Sequence, residues 1–553
     1  MPSRQTSDAT EAMTGRTAEA DHGPAPDHGP APDHGTAPDH GTAQDHADAP
    51  NRAAAVDRAA GPGRAAARGG ASGTVVPLNA GPAGPAPGDW SVRERGGEGE
   101  DGPRVLLLQG PVGPFFGRLA RSFAERGLGV DRVRFNGGDA IFSGPVPAGG
   151  RVFDYREGRA LWGEWLDAHL RANPTALIVL FGSECPQHRI ACRVAAERGV
   201  PVVSLEEGYL RPGYVTVERG ANNWRSPLAG RLPPERMREP RQRPLHGRSF
   251  WWMVRWGFLY FGWRNLVARG RQAELFHKRR PSWREAPRWA NNARRRLFRR
   301  DAVVPRLTSE LKGRFDLVPL QVSDDAQLRA AARGWTNRRL IVAAIASFAA
   351  NAPGDRHLVF KVHPLERGHT NDHRIIERLA AMHGVEARVH CIMSGQLGAI
   401  TRAARGMIVI NSTSGLTAIS HRKPLLVLGH AIYRNPALAR CGEGPRSIDA
   451  FWSDPFLGDE RLARHYAPWL LRNALVPGDY YDPAVIDETA RGVAARALFI
   501  ARHAASTQRS DGATGSDEAT GSGGAHGSDG ATGSGGARGG SGVVPFQRGR
   551  DAA

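Results

Sequence analysis

Val202-Val203-Ser204-Leu205-Glu206-Glu207-Gly208-Tyr209-Leu210-Arg211-Pro212 passes from an apolar run of strand length directly into two carboxylates, a glycine and a proline. Further along, Leu358-Val359-Phe360-Lys361-Val362-His363-Pro364 repeats the arrangement with a histidine. Each stretch places polar groups at the carboxyl end of a buried strand, the edge at which open α/β sheets bind ligands. Carboxylates on one edge and an imidazole on another predict a cleft between two α/β units, with acid chemistry on one wall and nucleotide recognition on the other. Glycosyl transfer is the reaction class that this pairing suggests.

Upstream of the paired acids the periodicity predicts alternating strands and helices. Val105 to Gln109, Val130 to Phe135 and Ala176 to Phe181 read as strands, with helices over Phe115 to Arg126 and Pro186 to Arg198. The turn Gly110-Pro111-Val112-Gly113-Pro114 follows the first strand, and Asn136-Gly137-Gly138-Asp139 the second. Downstream, Leu317 to Gln321, Leu358 to Val362 and Met407 to Ile410 read as strands, the last ending in Asn411-Ser412-Thr413-Ser414-Gly415. This alternation predicts parallel, doubly wound sheets. Hydroxyls and a glycine between a strand and the helix near Leu416 suit a phosphate at a helix N-terminus, although Ser and Thr also serve as ordinary caps there.

The ends differ in composition. Residues 1–102 are rich in Ala, Gly, Pro and Asp, with Asp-His steps at Asp21, Asp27, Asp33, Asp39 and Asp45, and the Gly/Ser-rich stretch 504–553 is similarly poor in large apolar side chains. Neither can bury enough surface to offset the entropy of ordering, so both are expected to be disordered tails. The formal charge of +19 rests almost wholly on Arg, because the only lysines are Lys278, Lys312, Lys361 and Lys423. Such a surface attracts nucleotide sugars and anionic headgroups. No RNA- or DNA-binding signature accompanies it, so nucleic acid is not an expected partner. Cys185, Cys192, Cys391 and Cys441 lack zinc spacing, and no signal-peptide pattern opens the sequence, which fits a reducing cytoplasm.

Ser249 to Trp263 is the most aromatic stretch, interrupted by Arg255 and followed by Arg264, Arg269 and Arg271. It is too short to span a bilayer and reads either as an interfacial membrane patch or as an aromatic helix buried between domains. The basic run Arg294 to Arg300 favours the membrane surface.

Taken in order, Leu107-Leu108-Gln109-Gly110-Pro111, Phe135 to Asp139, Glu206 to Pro212, Thr216 with Glu218, His363-Pro364 and Asn411 to Gly415 resemble the KpsS-type family of capsular-polysaccharide β-Kdo transferases. The paired-acid-Gly and His-Pro motifs are also similar to those of bacterial sialyltransferases. The resemblance implies a GT-B-like fold of two Rossmann-like, doubly wound α/β domains facing a cleft, and a CMP-Kdo donor. It divides the chain into an acceptor-side domain at 103–240, a basic aromatic linker at 241–305 and a nucleotide-sugar domain at 306–503. It further implies a lipid acceptor resembling phosphatidylglycerol, a peripheral position on the inner face of the plasma membrane, and a capsule assembly or export complex as a partner.

The resemblance, with the chemistry it implies, gives the roles. Glu206 or Glu207 is expected to be catalytic, and strand alternation points the two to opposite faces, so one faces the cleft. A β-linked donor giving a β-linked product requires retention, for which a carboxylate nucleophile gives a direct route. His363, Pro364, Lys361, Ser412, Thr413, Ser414 and Gly415 are the expected donor-binding group, and Gln109, Gly110, Asn136, Asp139, His188, Arg211 and Glu218 the remaining cleft residues. A leaving group with one phosphate has little need of a divalent ion, so neither metal nor cofactor is expected. The stretch Phe181 to His188 departs from the family pattern, with Ser183 and Cys185 where charged residues are typical. Alternatives are an inverting, sialyltransferase-like CMP-sugar enzyme and a non-catalytic capsule export or scaffold protein.

Overall fold

Apolar runs of four to seven residues, covered on both faces, build two sheets in this chain. The computed structural model describes residues 74–77 and 102–514, apart from 238–239, 241, 246, 268–269, 276–281, 299–300 and 324. These residues belong to one compact unit, Gly69–Ala553. Before the aromatic segment come β1 (Thr74–Pro77), β2 (Arg104–Leu107), β3 (Gly129–Arg134), β4 (Arg151–Asp154), β5 (Thr175–Phe181), β6 (Val202–Glu207) and β7 (Tyr214–Arg219). After it come β8 (Phe315–Pro319), β9 (His357–Lys361), β10 (Val389–Ile392), β11 (Gly406–Val409), β12 (Leu425–Val427), β13 (Arg440–Cys441) and β14 (Leu475–Pro477).

The first sheet runs β1-β4-β3-β2-β5-β6-β7-β14 and the second β10-β9-β8-β11-β12-β13. Within the first, β4-β3-β2-β5-β6 is a parallel doubly wound order, and the whole second sheet is parallel and ordered the same way. Two Rossmann-like domains of GT-B type are therefore present, as the motifs imply. Their strand order reverses between β2 and β5 and between β8 and β11, so each has a switch point where a crevice opens at the carboxyl edge.

Three expected boundaries are corrected. The expected nucleotide-side domain, 306–503, does not stay with the second sheet. β14 pairs antiparallel with β7, Leu475 opposite Thr216, and the helix Ile486–Thr514 returns to the first sheet. Its Ala490, Val493, Ala494, Ala497 and Ile500 are buried in one cluster with Val105, Phe115, Leu119 and Val203. That apolar stripe needs an uncovered sheet face, and the first sheet supplies it. The helix backbone also runs past the expected tail boundary at 503, to Thr514. Within the stretch expected to lack structure at the other end, Thr74–Pro77 forms an edge strand parallel to β4. The rest of both tails lies outside the described residues.

The linker 241–305 is folded onto the two domains. Helix Ser249–Leu266 packs on the first, where Gly137 and Gly138 leave room for it. A side chain at Gly138 would meet the Tyr260 ring at 2.7 Å, and one at Gly137 the Trp263 carbonyl at 2.5 Å. Helix Ser282–Phe298 packs on the second, against the loop after β9.

Candidate active site

β6 and β7 form the acidic wall. Glu206 pairs with Thr216 and Glu207 with Val215, and Gly208 closes the turn between the strands because any side chain there would run into the Tyr214 carbonyl. Alternation separates the two acids, as expected. Glu207 turns toward the C-terminal segment, where the Tyr481 hydroxyl donates to Oε1 at 2.5 Å and Arg211 lies 3.7 Å from Oε2. Glu206 turns the other way. Among the described residues, its carboxyl accepts a hydrogen bond from the Glu207 N–H at 3.3 Å. Burial pushes its carboxyl up to about 8, reinforced by the charges of Asp325 and Glu207 and opposed more weakly by Arg211. Cys185 lies on the same side, its thiol pushed up to about 12 by burial and by Glu206 and Glu184.

Asp325 belongs to the second domain. It caps the helix Ala326–Ala331 by accepting from the Gln327 N–H at 2.9 Å, and burial raises its carboxyl as well. The acid wall thus faces a carboxyl across the cleft that sequence reading missed. The only signal for it was the Asp-x-Gln start of a short helix.

The opposite wall is built on β9. The Leu365 N–H donates to His363 Nδ1 at 3.2 Å, which leaves Nε2 as the ring's N–H donor. Burial, with the charges of Arg211, Lys361 and Arg367, holds this imidazole down at about 4, so it is neutral at ordinary pH. Arg211 is the common element: its charge acts on Glu206, on Asp325 and on His363. Lys361 is buried, donates to the Ser394 carbonyl at 3.0 Å and is held down at about 8. Pro364 is exposed, and its carbonyl accepts from Asn292 at 3.0 Å. With Trp289 edge-on to His369 at 4.9 Å, helix Ser282–Phe298 buttresses the His-Pro loop. The part of the basic run 294–300 that contains Arg295 is tied to this loop through the Arg367 carbonyl; residues 299–300 lie outside the described residues.

The turn after β11 is self-contained. Ser412 and Ser414 hydroxyls are 3.0 Å apart, the Ser414 N–H donates to Ser412 Oγ, and Tyr433 donates to the Ser412 carbonyl. Gly415 is required because a Cβ there would overlap the Tyr433 hydroxyl. Thr413 starts the helix Ser414–Ser420 without a side-chain cap bond. That helix faces the acid wall: a cavity of about 180 Å³ is lined by Tyr209 to Pro212 and Tyr214 on one side and by Leu416, Thr417 and Ser420 on the other.

Other predicted cleft residues lie behind these walls. Gln109 donates to the Tyr260 hydroxyl at 3.0 Å and to Asp139 at 3.3 Å, and accepts from Gln187 at 2.9 Å. Asn136 also donates to Tyr260, which donates to Asp139 at 2.8 Å. This buried net seats helix Ser249–Leu266. Gly110 packs under Phe116, 2.6 Å from a would-be Cβ. His188 is fully buried with Nδ1 2.9 Å from the Gly182 carbonyl, where it supports the turn carrying Ser183 and Cys185. Glu218 is a buried hub accepting from Tyr209, Asn222 and Ser226, and burial pushes it up to about 7. The expectation that Gln109, Asn136, Asp139, His188 and Glu218 line the cleft is corrected to a supporting role, because each is enclosed by its own partners.

Comparison with known proteins agrees with the motifs. A profile of the family described as "Capsule polysaccharide biosynthesis protein" matches residues 176–233 and 286–481. The chain is similar to the capsule polysaccharide modification protein LipB of Neisseria meningitidis serogroup A, with 32% identity over 399 residues, covering 69% of this chain and 92% of the relative. It is 31% identical over 395 residues to the capsule polysaccharide export protein KpsS of Escherichia coli, covering 69% of this chain and 97% of that protein. Among solved structures, the β-Kdo 2,7 transferase of Thermosulfurimonas dismutans KpsC matches at 12% identity with a TM-score of 0.32, over 70% of this chain and 97% of that one.

Proposed function

The chain belongs to the capsule polysaccharide biosynthesis family, and on that premise we propose that it is a glycosyltransferase moving a Kdo-type sugar acid from a CMP-activated donor to a lipid acceptor. The observation that carries this reading is the placement of Glu206. Its carboxyl stands at the carboxyl edge of β6, directed away from the Tyr481 contact that engages Glu207, and is within electrostatic reach of Asp325 and Arg211.

His363 Nε2–H and Arg211 supply donors for the single phosphate of the nucleotide and for the charge that develops on it as it leaves. Glu206, once ionised, attacks the anomeric carbon as the bond to the phosphate oxygen breaks, and CMP departs with that electron pair. The acceptor hydroxyl then attacks the same carbon, the bond to Glu206 breaks to restore the carboxylate, and the hydroxyl proton passes to a neighbouring carboxylate. Two displacements give retention. No metal is required, because protein donors hold the one phosphate.

An inverting reaction is the second reading, favoured by the proton that Glu206 holds up to about pH 8, which suits an acid–base role. The test is to incubate the protein with a panel of CMP-sugars and measure CMP release, then to read the anomeric configuration of the product by NMR. Release of CMP from none of them would sink the transferase reading and leave the capsule export or scaffold role.

A further inference from the structure

Helix Ser249–Leu266 carries large apolar side chains on every side, with Arg255 and Arg264 among them, and among the described residues one face is packed on the first domain while the other is exposed. Trp252, Met253 and Trp256 pack on the core of the first domain, the Trp256 indole N–H donates to the Tyr481 carbonyl at 2.9 Å, and Tyr260 is buried. The opposite face carries Trp251 at 63% exposure, Phe258 at 81% and Leu266 at 81%, with Val254 between them. At 3.6 residues per turn these positions fall on one stripe.

Charge identifies the occupant. Residues 240–273 contain seven arginines and no acidic residue; Arg264 is buried and Arg271 pairs with Glu274 at 2.7 Å, but the segment keeps a net positive charge, so a second copy of the same face would be repelled while an anionic surface would be attracted. Exposed Arg255 stays beside the stripe, its guanidinium 5.4 Å from the Trp252 ring and 5.6 Å from that of Trp256. Aromatic and aliphatic bulk flanked by Arg matches the headgroup–acyl boundary. Among the described residues no helix is long and apolar enough to cross a membrane.

We propose that the Trp251–Phe258–Leu266 face is the surface by which the protein lies on anionic phospholipid. The buried face of the same helix carries Tyr260 to Gln109 and Asp139, so docking sets the carboxyl edge of the first sheet at a fixed height above the lipid. This deepens the lipid-acceptor reading and rests on it only for its purpose; the docking itself is measured without turnover.

The test sediments the full chain with phosphatidylcholine vesicles, with and without phosphatidylglycerol. The wild type is expected to bind only the anionic vesicles, less as salt rises. Trp251→Ser, Phe258→Ser and Leu266→Ser combined should bind about tenfold more weakly or worse, with unchanged thermal melting and unchanged CMP release toward a soluble acceptor. Undiminished vesicle binding by this variant would overturn the proposal, as would a wild-type dimer that the variant converts to monomer. Phe258→Ser alone carries the test if the triple variant misfolds, and loss of fold there would show that the face is core. Vesicle binding without CMP release in the wild type would leave the docking intact and sink the enzymatic reading instead.

Discussion

The Tyr481 hydroxyl donates to Glu207 Oε1 at 2.5 Å, joining the paired-acid motif to a segment 274 residues further along the chain. The bond fastens a segment that returns to the first sheet to bury its apolar helix: β14 and the turn after it bring Tyr480 and Tyr481 under the acids. Tyr480 donates to the Glu206 carbonyl at 3.2 Å and meets Phe115 edge-on at 4.7 Å between centroids. Tyr481→Phe should keep the fold and lower kcat about tenfold, since a hydrogen bond to a charged group contributes about 1.5–3 kcal/mol and here holds the acid pair in place. Melting and steady-state kinetics check it; unchanged kcat would mean that Glu207 needs no orienting.

Glu206→Gln and Glu207→Gln should diverge. A Glu206 pKa raised to about 8 means that the unfolded chain ionises this group more readily than the folded one. Its contribution to stability is fully present below about pH 4.5 and is lost as pH rises through 8. Glu206→Gln, which carries no charge, is therefore expected to melt higher than the wild type at pH 8 while losing transfer. Glu207→Gln removes the charged partner of Tyr481 and Arg211 and should melt lower. The same melting shift in both variants would contradict the division of roles.

The pH profile separates a role for ionised Glu206, as nucleophile or as the base of an inverting reaction, from a role for its protonated form. If Glu206 is the nucleophile it acts ionised, so kcat/KM should climb as pH rises toward about 8 and then level off. An essential acid would give the reverse limb, falling above 8. A flat profile between pH 6 and 9 would remove Glu206 from both roles.

His363→Ala should weaken CMP binding about ten- to a hundredfold, because Nε2–H is the ring atom left to donate to phosphate. His363→Gln, which offers an N–H at a similar reach, should recover part of the affinity. Since the imidazole titrates near 4, wild-type donor binding should not respond to protonation of His363 at neutral pH. Calorimetry on the three proteins decides, and equal affinities would place the phosphate elsewhere.

Much of this architecture was legible because β2, β5, β6, β8, β9 and β11 are largely apolar runs ending in polar motifs, and strands buried on both faces read that way from sequence alone. The pairings that close the first sheet were not legible. β14 is three residues long and carries no alternation, and its partner β7 lies far upstream, so only tertiary contact assigns it. The division between Glu206 and Glu207 followed from strand alternation, but which acid is engaged depended on Tyr481. Asn136 and Asp139 read as cleft residues because buried polar clusters and active sites use the same side chains. What separated them was Tyr260, hidden in a helix with large apolar side chains on every side, where periodicity cannot tell the covered side from the open one.

That net gives the last prediction. Tyr260 is buried, receives hydrogen bonds from Gln109 and Asn136 and donates to Asp139, whose carboxyl is raised by burial. Tyr260→Phe keeps the ring that fills the space over Gly138 but leaves three buried polar groups short of a partner. Each such loss costs about 1–3 kcal/mol, so the variant should melt several degrees lower. The Asp139 carboxylate would lose its phenol donor and hold its proton more strongly, so the deficit should widen as pH rises. Helix Ser249–Leu266 would then open at low denaturant, seen as faster exchange of its amide protons than in the wild type. A variant as stable as the wild type, with that helix equally protected, would show that Trp252 and Trp256 alone hold it and that the Asn136–Asp139 motif serves something other than seating it.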